Sequence, residues 1–216
     1  MEAPAKAPPI GNTAAAKLSG AFRRLPIIRA WVIWRSDDGE SRGRTTLEVN
    51  YDRISASLGS LLLVWSRLEK SLRDEVIRFH GSLPPRAHGI AAVVRTWESA
   101  VIAAHPGTSL CPSLAKVVRC QLQGPLDMRN GLCHGLVGIS AENGQEPAQL
   151  HWELNGEKHS ITWEDLQKCF RWLSGLRRAI SIISNPTLDR PGSRGTNTPE
   201  NREWWRSEFD LKLPEP

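Results

Sequence analysis

From Asp52 onward the apolar residues recur three and four apart: Leu58, Leu61, Trp65, Leu68, Leu72, Val76 and Phe79. That spacing draws one stripe down a helix, because 3.6 residues make a turn. It predicts a long helix over about 53–79, stopped by the glycines and prolines of "HGSLPPRAHG" (80–89). A second helix is expected over 88–104, carrying Ile90, Val93, Val94, Trp97 and Val101 up to His105-Pro106-Gly107. The stretch "CPSLAKVVRCQLQ" predicts a third, over 112–123, and Gly124-Pro125 a new start, since proline suits a first helical position. That fourth helix is expected to end at Gly135, glycine being the usual left-handed terminator.

The period then changes. "LVGISAENGQEPAQLHWELNGEKHSIT" (136–162) reads as two or three short strands, with Asn143-Gly144 and Asn155-Gly156 as turn signals. Thr162 is a good N-cap for a last long helix over 163–183, with Asp165 three residues on and an Ile161–Leu166 staple. Leu166, Phe170, Leu173, Leu176, Ile180 and Ile183 line one side of it. The expected fold class is therefore all-α: an antiparallel helical bundle with a small β-hairpin insertion before the last long helix.

The ends of the chain read differently. Residues 1–20, rich in Ala and Pro, are expected to be disordered. Residues 21–51 predict a β-hairpin extension around Asp38-Gly39 and Arg42-Gly43, with Leu47, Val49 and Tyr51 alternating; a helix at 27–35 is the alternative. Residues 185–216, rich in Pro, Gly and Asn, read as a flexible tail. Within it "TPENREWWRSEF" suits one or two helical turns capped by Thr198, with Pro199 at the first position. Its paired Trp204 and Trp205 suggest a docking peptide, since exposed tryptophans favour burial.

Composition narrows the classes. At 216 residues the chain suits one ordinary domain with extensions. A net charge of +5 is compatible with RNA without requiring it. Cys111, Cys120, Cys133 and Cys169 form no close ligand pair, so they read as reduced, mostly buried thiols rather than a zinc site. The N-terminus lacks a signal-peptide run and "LLLVW" (61–65) is too short to span a bilayer, so a soluble, cytoplasmic protein is expected.

One stretch carries candidate chemistry: "DMRNGLCHGLVG" (127–138). Asn130 and His134 are four apart and share a helix face, with Asp127 on the same side. Arg129 and His134 lie roughly 140° apart around an ideal helix. They converge only if the helix end loosens, if the arginine reaches round, or if two copies face each other across a two-fold axis. The residue types suit metal-independent RNA cleavage. Histidine moves protons near neutral pH, arginine matches phosphate oxygens, and asparagine fixes its neighbours by hydrogen bonding.

"RNGLCHG" (129–135) resembles the Arg-Asn-x-x-x-His motif of HEPN domains (higher eukaryote and prokaryote nucleotide-binding). "LVWSRLEKSL" (63–72) resembles their first long helix, and the order of motif, insertion and "ITWEDLQKCFRWLSGLRRAI" (161–180) resembles their layout. The resemblance covers about 52–184. It implies a HEPN-like homodimer whose paired motifs form one RNA-cleaving site, needing no cofactor or metal and leaving a 2′,3′-cyclic phosphate. Arg129 and His134 would be catalytic and Asn130 supporting, with Glu69 and Asp127 as candidate helpers. Many members serve as toxins with a cognate antitoxin, or in anti-phage defence; others bind nucleotides, RNA or proteins without cleaving.

Plainer readings compete. Arg129, Asn130 and His134 also suit a polar helix C-terminus, where a histidine favours the macrodipole. Glu69 suits a surface ion pair and Asp127 a first-turn acid. Cys133 points away from His134 and reads as a buried or interface cysteine, and Arg171, Arg177 and Arg178 as a solvated face. His80, His88, His105, His151 and His159 have no ligand-like neighbours in the sequence.

Overall fold

In the computed structural model Val49 and residues 51–215 are described, apart from 106, 145, 190 and 191, and all belong to one unit, Arg44–Pro216. The expectations for 1–20, and for 21–51 save its last residues, lie outside them. Tyr51, expected to close a strand, instead opens the first helix.

That helix, α1 (Tyr51–His80), buries Ile54, Leu61, Trp65, Leu68, Leu72 and Val76, so the predicted stripe is its inner face. It packs against α2 (Ile90–Ala104) and, further along the chain, α4 (Trp163–Ile183). Ser184 ties the three together where α4 ends: its Oγ accepts from Trp97 Nε1 at 2.8 Å and its carbonyl accepts from Arg78. Buried polar groups of this kind need partners, and these have them.

The break expected at Gly124-Pro125 is absent. One helix, α3 (Cys111–His134), runs through it with Pro125 inside. Proline there removes a backbone bond to the Gln121 carbonyl, at a cost of about 3 kcal/mol. Continuing the helix keeps Val118, Leu122, Leu126, Met128 and Leu132 on one buried face, which offsets it. Tertiary burial overrides the local signal. The end also differs: Gly135 caps the helix at φ −136°, not in the left-handed region.

Between α3 and α4 the chain forms a three-stranded antiparallel meander rather than a single hairpin: β1 (Leu136–Ser140), β2 (Gln149–Leu154) and β3 (Glu157–Thr162). Asn155 and Gly156 join β2 to β3 at φ 55° and 79°, both positive as a two-residue primed turn requires. Asn143-Gly144 falls in the longer β1–β2 loop, where Asn143 Oδ1 accepts from Glu146 N at 2.8 Å. Thr162 caps α4 as predicted: its Oγ1 accepts from Asp165 N at 3.2 Å and donates to the Asp165 carboxylate at 2.9 Å.

The expected flexible tail is instead docked structure. After a 3₁₀ turn (Pro186–Asp189), α5 (Pro199–Phe209) starts on the Thr198 cap and lies on α4. Trp205 is 0% exposed, and Phe209, Leu211 and Leu213 are buried behind it. Gln121 holds the following turn from α3: its Nε2 donates to the Asp210 carbonyl at 2.8 Å and its Oε1 accepts from Lys212 N at 3.1 Å. Trp172 Nε1 donates to the Phe209 carbonyl at 3.1 Å. The "EWWRSEF" peptide docks on its own chain.

Candidate functional site

The motif occupies the last two turns of α3. The helix there stays regular, with Gly135 N donating to the Gly131 carbonyl at 2.7 Å, so the end does not loosen to bring Arg129 round to His134. Arg129 instead reaches its neighbour: Nη1 donates to Asn130 Oδ1 at 3.0 Å. Adjacent helical residues point about 100° apart, so the long arginine side chain folds across that angle. Its guanidinium is thereby drawn towards the face that Asn130 shares with His134. His134 is exposed, and its imidazole has no hydrogen-bond partner among the described residues. One chain brings Arg129 and Asn130 together and leaves His134 apart.

Neither supporting carboxylate touches this group. Glu69 accepts from Arg73 Nη2 at 2.7 Å, four residues along α1, and the same nitrogen of Arg73 donates to the His88 carbonyl at 2.6 Å. Asp127 accepts from Gln123 Nε2 at 2.9 Å. Both are explained as local partners on a helix surface.

The motif's glycines have a packing role. A Cβ on Gly131 would lie 2.1 Å from Cδ1 and Nε1 of Trp152, and one on Gly135 would lie 2.0 Å from the Glu153 carbonyl oxygen. The two glycines are four apart, on one face of α3, and β2 lies directly across them. Glu153 N donates to the Gly135 carbonyl at 2.8 Å and completes the junction. Gly131 therefore marks a close approach of helix and strand. The Gly-x-x-x-Gly spacing is the signal that could have announced it, but the partner residues lie some twenty positions later.

The sheet adds two features that the sequence did not single out. His159 stacks on Trp152, ring centroids 5.6 Å apart, because the two are direct cross-strand partners. On the opposite face His151 Nε2 and Ser140 Oγ are 2.8 Å apart. Alternation in "QLHWEL" (149–154) puts Leu150 and Trp152 inward and His151 outward, which is the sequence signal for both.

The thiols divide evenly. Cys111 and Cys169 are buried, and burial pushes the Cys169 thiol up to about 12. Cys120 and Cys133 are exposed, so the expectation of mostly buried thiols holds for half of them, and Cys133 is not covered within one chain. Of the α4 arginines, Arg171 and Arg177 face solvent, while Arg178 pairs with Glu208 at 2.8 Å. Among the described residues no group of three or more His, Cys, Asp or Glu side chains could hold a metal ion, and no helix is long and apolar enough to cross a membrane.

Comparison with known proteins returns nothing: no protein-family model, no curated protein and no solved structure matches this chain. Its functional reading rests on its own residues.

Proposed function

We propose that the chain is a HEPN-like helical protein of the cytoplasm that acts as a metal-independent endoribonuclease on single-stranded RNA, in the manner of toxins and defence effectors. One observation carries the reading. The last two turns of α3 spend Met128, Gly131, Leu132 and Gly135 on packing and leave Arg129, Asn130 and His134 with no partner in the core. A half-buried guanidinium–amide pair and an exposed imidazole are groups that suit phosphodiester cleavage.

The chemistry follows from those groups. The ribose 2′-oxygen attacks phosphorus, the 2′-proton passes to a base, and the bond from phosphorus to the 5′-oxygen breaks as an acid protonates that oxygen. The products are a 2′,3′-cyclic phosphate and a 5′-hydroxyl. His134 serves as acid or base, Arg129 holds the charged phosphorane, and Asn130 fixes the guanidinium. Because Arg129 and His134 diverge on one helix, the complete set needs a second copy. Exposed Leu136 (41%) and Val137 (71%), just past Gly135, offer apolar surface for that meeting.

The divergence of Arg129 from His134 favours a second reading, a non-catalytic module that binds a nucleotide, RNA or a protein such as an antitoxin. Purified protein incubated with a labelled RNA pool in EDTA separates the two. Cyclic-phosphate ends that disappear in Arg129→Ala/His134→Ala support the nuclease. Retention of RNA without cleavage moves the assignment to the binding module.

A further inference from the structure

We infer that His159 and Glu157, on the edge strand β3, form a subsite for an unpaired guanine base of the RNA, stacked on the imidazole and held at its Watson–Crick edge by the carboxylate.

The inner face of the sheet gives the first reason. Strand alternation puts Ile139, Leu150, Trp152, Leu154 and Ile161 on that face, and all of them pack on the core. His159 and Glu157 share the face as polar residues, cross-strand from Trp152 and Leu154. Polar groups on an otherwise apolar face are the informative case. Neither side chain has a hydrogen-bond partner among the described residues, and Glu157 Oε2 stands 4.0 Å from His159 Nε2.

The stack is open on one side. Trp152, 8% exposed, fills the notch at Gly131 and lies against His159 with the ring planes 17° from parallel. β3 is the outer strand in the order β1-β2-β3, so the imidazole face turned away from Trp152 meets no further strand. The His159 side chain keeps 30% of its surface exposed there. A third ring can continue the stack, which is how proteins hold the bases of single-stranded nucleic acid. The platform also stands on the motif helix itself, since Gly131, where Trp152 rests, directly follows Asn130.

The carboxylate selects the base. An ionised carboxylate only accepts, and its two oxygens suit two parallel N–H donors. Guanine presents such a pair, N1–H and N2–H, on its Watson–Crick edge. Adenine and cytosine set a single amino group beside an acceptor, which a carboxylate repels, and uracil sets its one N–H between two carbonyls. Glu157 lies two residues from His159 on the same strand face, and its 68% exposed side chain is free to swing to the edge of a base stacked there.

The inference rests on the ribonuclease reading for its substrate, RNA, but binding is measured without cleavage. The full chain carrying His134→Ala is titrated into labelled ten-nucleotide RNAs, all uridine or with one central guanosine or adenosine, and anisotropy is read. The guanosine strand should bind about tenfold tighter than either other strand, the scale of one stacked and edge-bound base. Adding His159→Ala should abolish that preference, while His159→Phe, which keeps a stacking face, should stay within about threefold. Glu157→Gln should bring the guanosine and adenosine strands within about threefold of each other. Competition by 5′-GMP but not 5′-AMP would show that the base suffices, and competition by neither that the strand is needed as well. Melting curves serve as the folding control. Equal affinity for the three strands, or a guanosine preference that survives His159→Ala, would overturn the subsite. Guanosine-selective binding by a wild type that cleaves nothing would retain the subsite and remove the nuclease; cleavage without selectivity would do the reverse.

Discussion

The C-terminal segment and the end of α3 make opposite use of conspicuous residues. In the former, Trp205, Phe209, Leu211 and Leu213 are buried, and Trp204 packs edge-on against Trp205 and Phe209 beneath the Arg194 guanidinium. Each residue that stood out is consumed by packing. In the latter, the glycines and aliphatic residues are consumed, while Arg129 binds only Asn130 and His134 binds nothing among the described residues. Paired tryptophans explain themselves through folding. The exposed imidazole of His134, apart from the Arg129–Asn130 pair and without a partner among the described residues, does not, and that contrast is what the proposed function builds on.

The contrast can be broken at several points. The heaviest loss is expected from Trp205→Ala, which deletes a fully buried indole and its bond to the Arg194 carbonyl. A loss of about 3–5 kcal/mol is expected in denaturant unfolding. A loss under about 1 kcal/mol would return the segment to the status of a loose tail. Next comes the junction of α3 with β2. Gly135→Ala should cost more than Gly131→Ala, because the first meets the Glu153 backbone and the second a side-chain ring. Both should fall in the range of about 1–3 kcal/mol, with the alanine's better helix propensity recovering part of the second. The reverse order would mean that Trp152, not the strand, holds the junction.

Smaller effects sharpen the picture. Thr162→Ala removes the cap on α4 and should cost about 1 kcal/mol by thermal or denaturant melts. At pH 8 the native protein should expose two thiols to an aromatic disulfide reagent, Cys120 and Cys133, and all four on unfolding. The raised Cys169 pKa favours its neutral thiol, so its reactivity should stay negligible up to the pH where the fold itself fails. Protection of Cys133 in the native state would place it in a contact between copies.

What was legible in the sequence follows one physical rule: features written in local spacing or closed by nearby partners were readable. The Thr162–Asp165 cap and the Asn155-Gly156 turn are closed within a few residues, and the α1 stripe shows in its own three-and-four spacing although it packs on distant helices. Features whose partners lie far away were not. Pro125 looks like a helix start until the buried face that continues through it is known. The last thirty residues look like a tail until Gln121 and Trp172, from distant helices, are seen to hold them. At the candidate site the identities of Arg129, Asn130 and His134 were readable. Their isolation from Glu69 and Asp127, which have other partners, was not.

If the fold spares His134 for chemistry, losing that side chain should cost activity and leave stability alone. Thermal unfolding and RNA cleavage of His134→Ala, measured side by side with wild type, decide the matter. The expected midpoint lies within about 2 °C of wild type, with a cleavage rate lower by about 10²–10⁴. An unchanged rate, or a midpoint lower by many degrees, would contradict it.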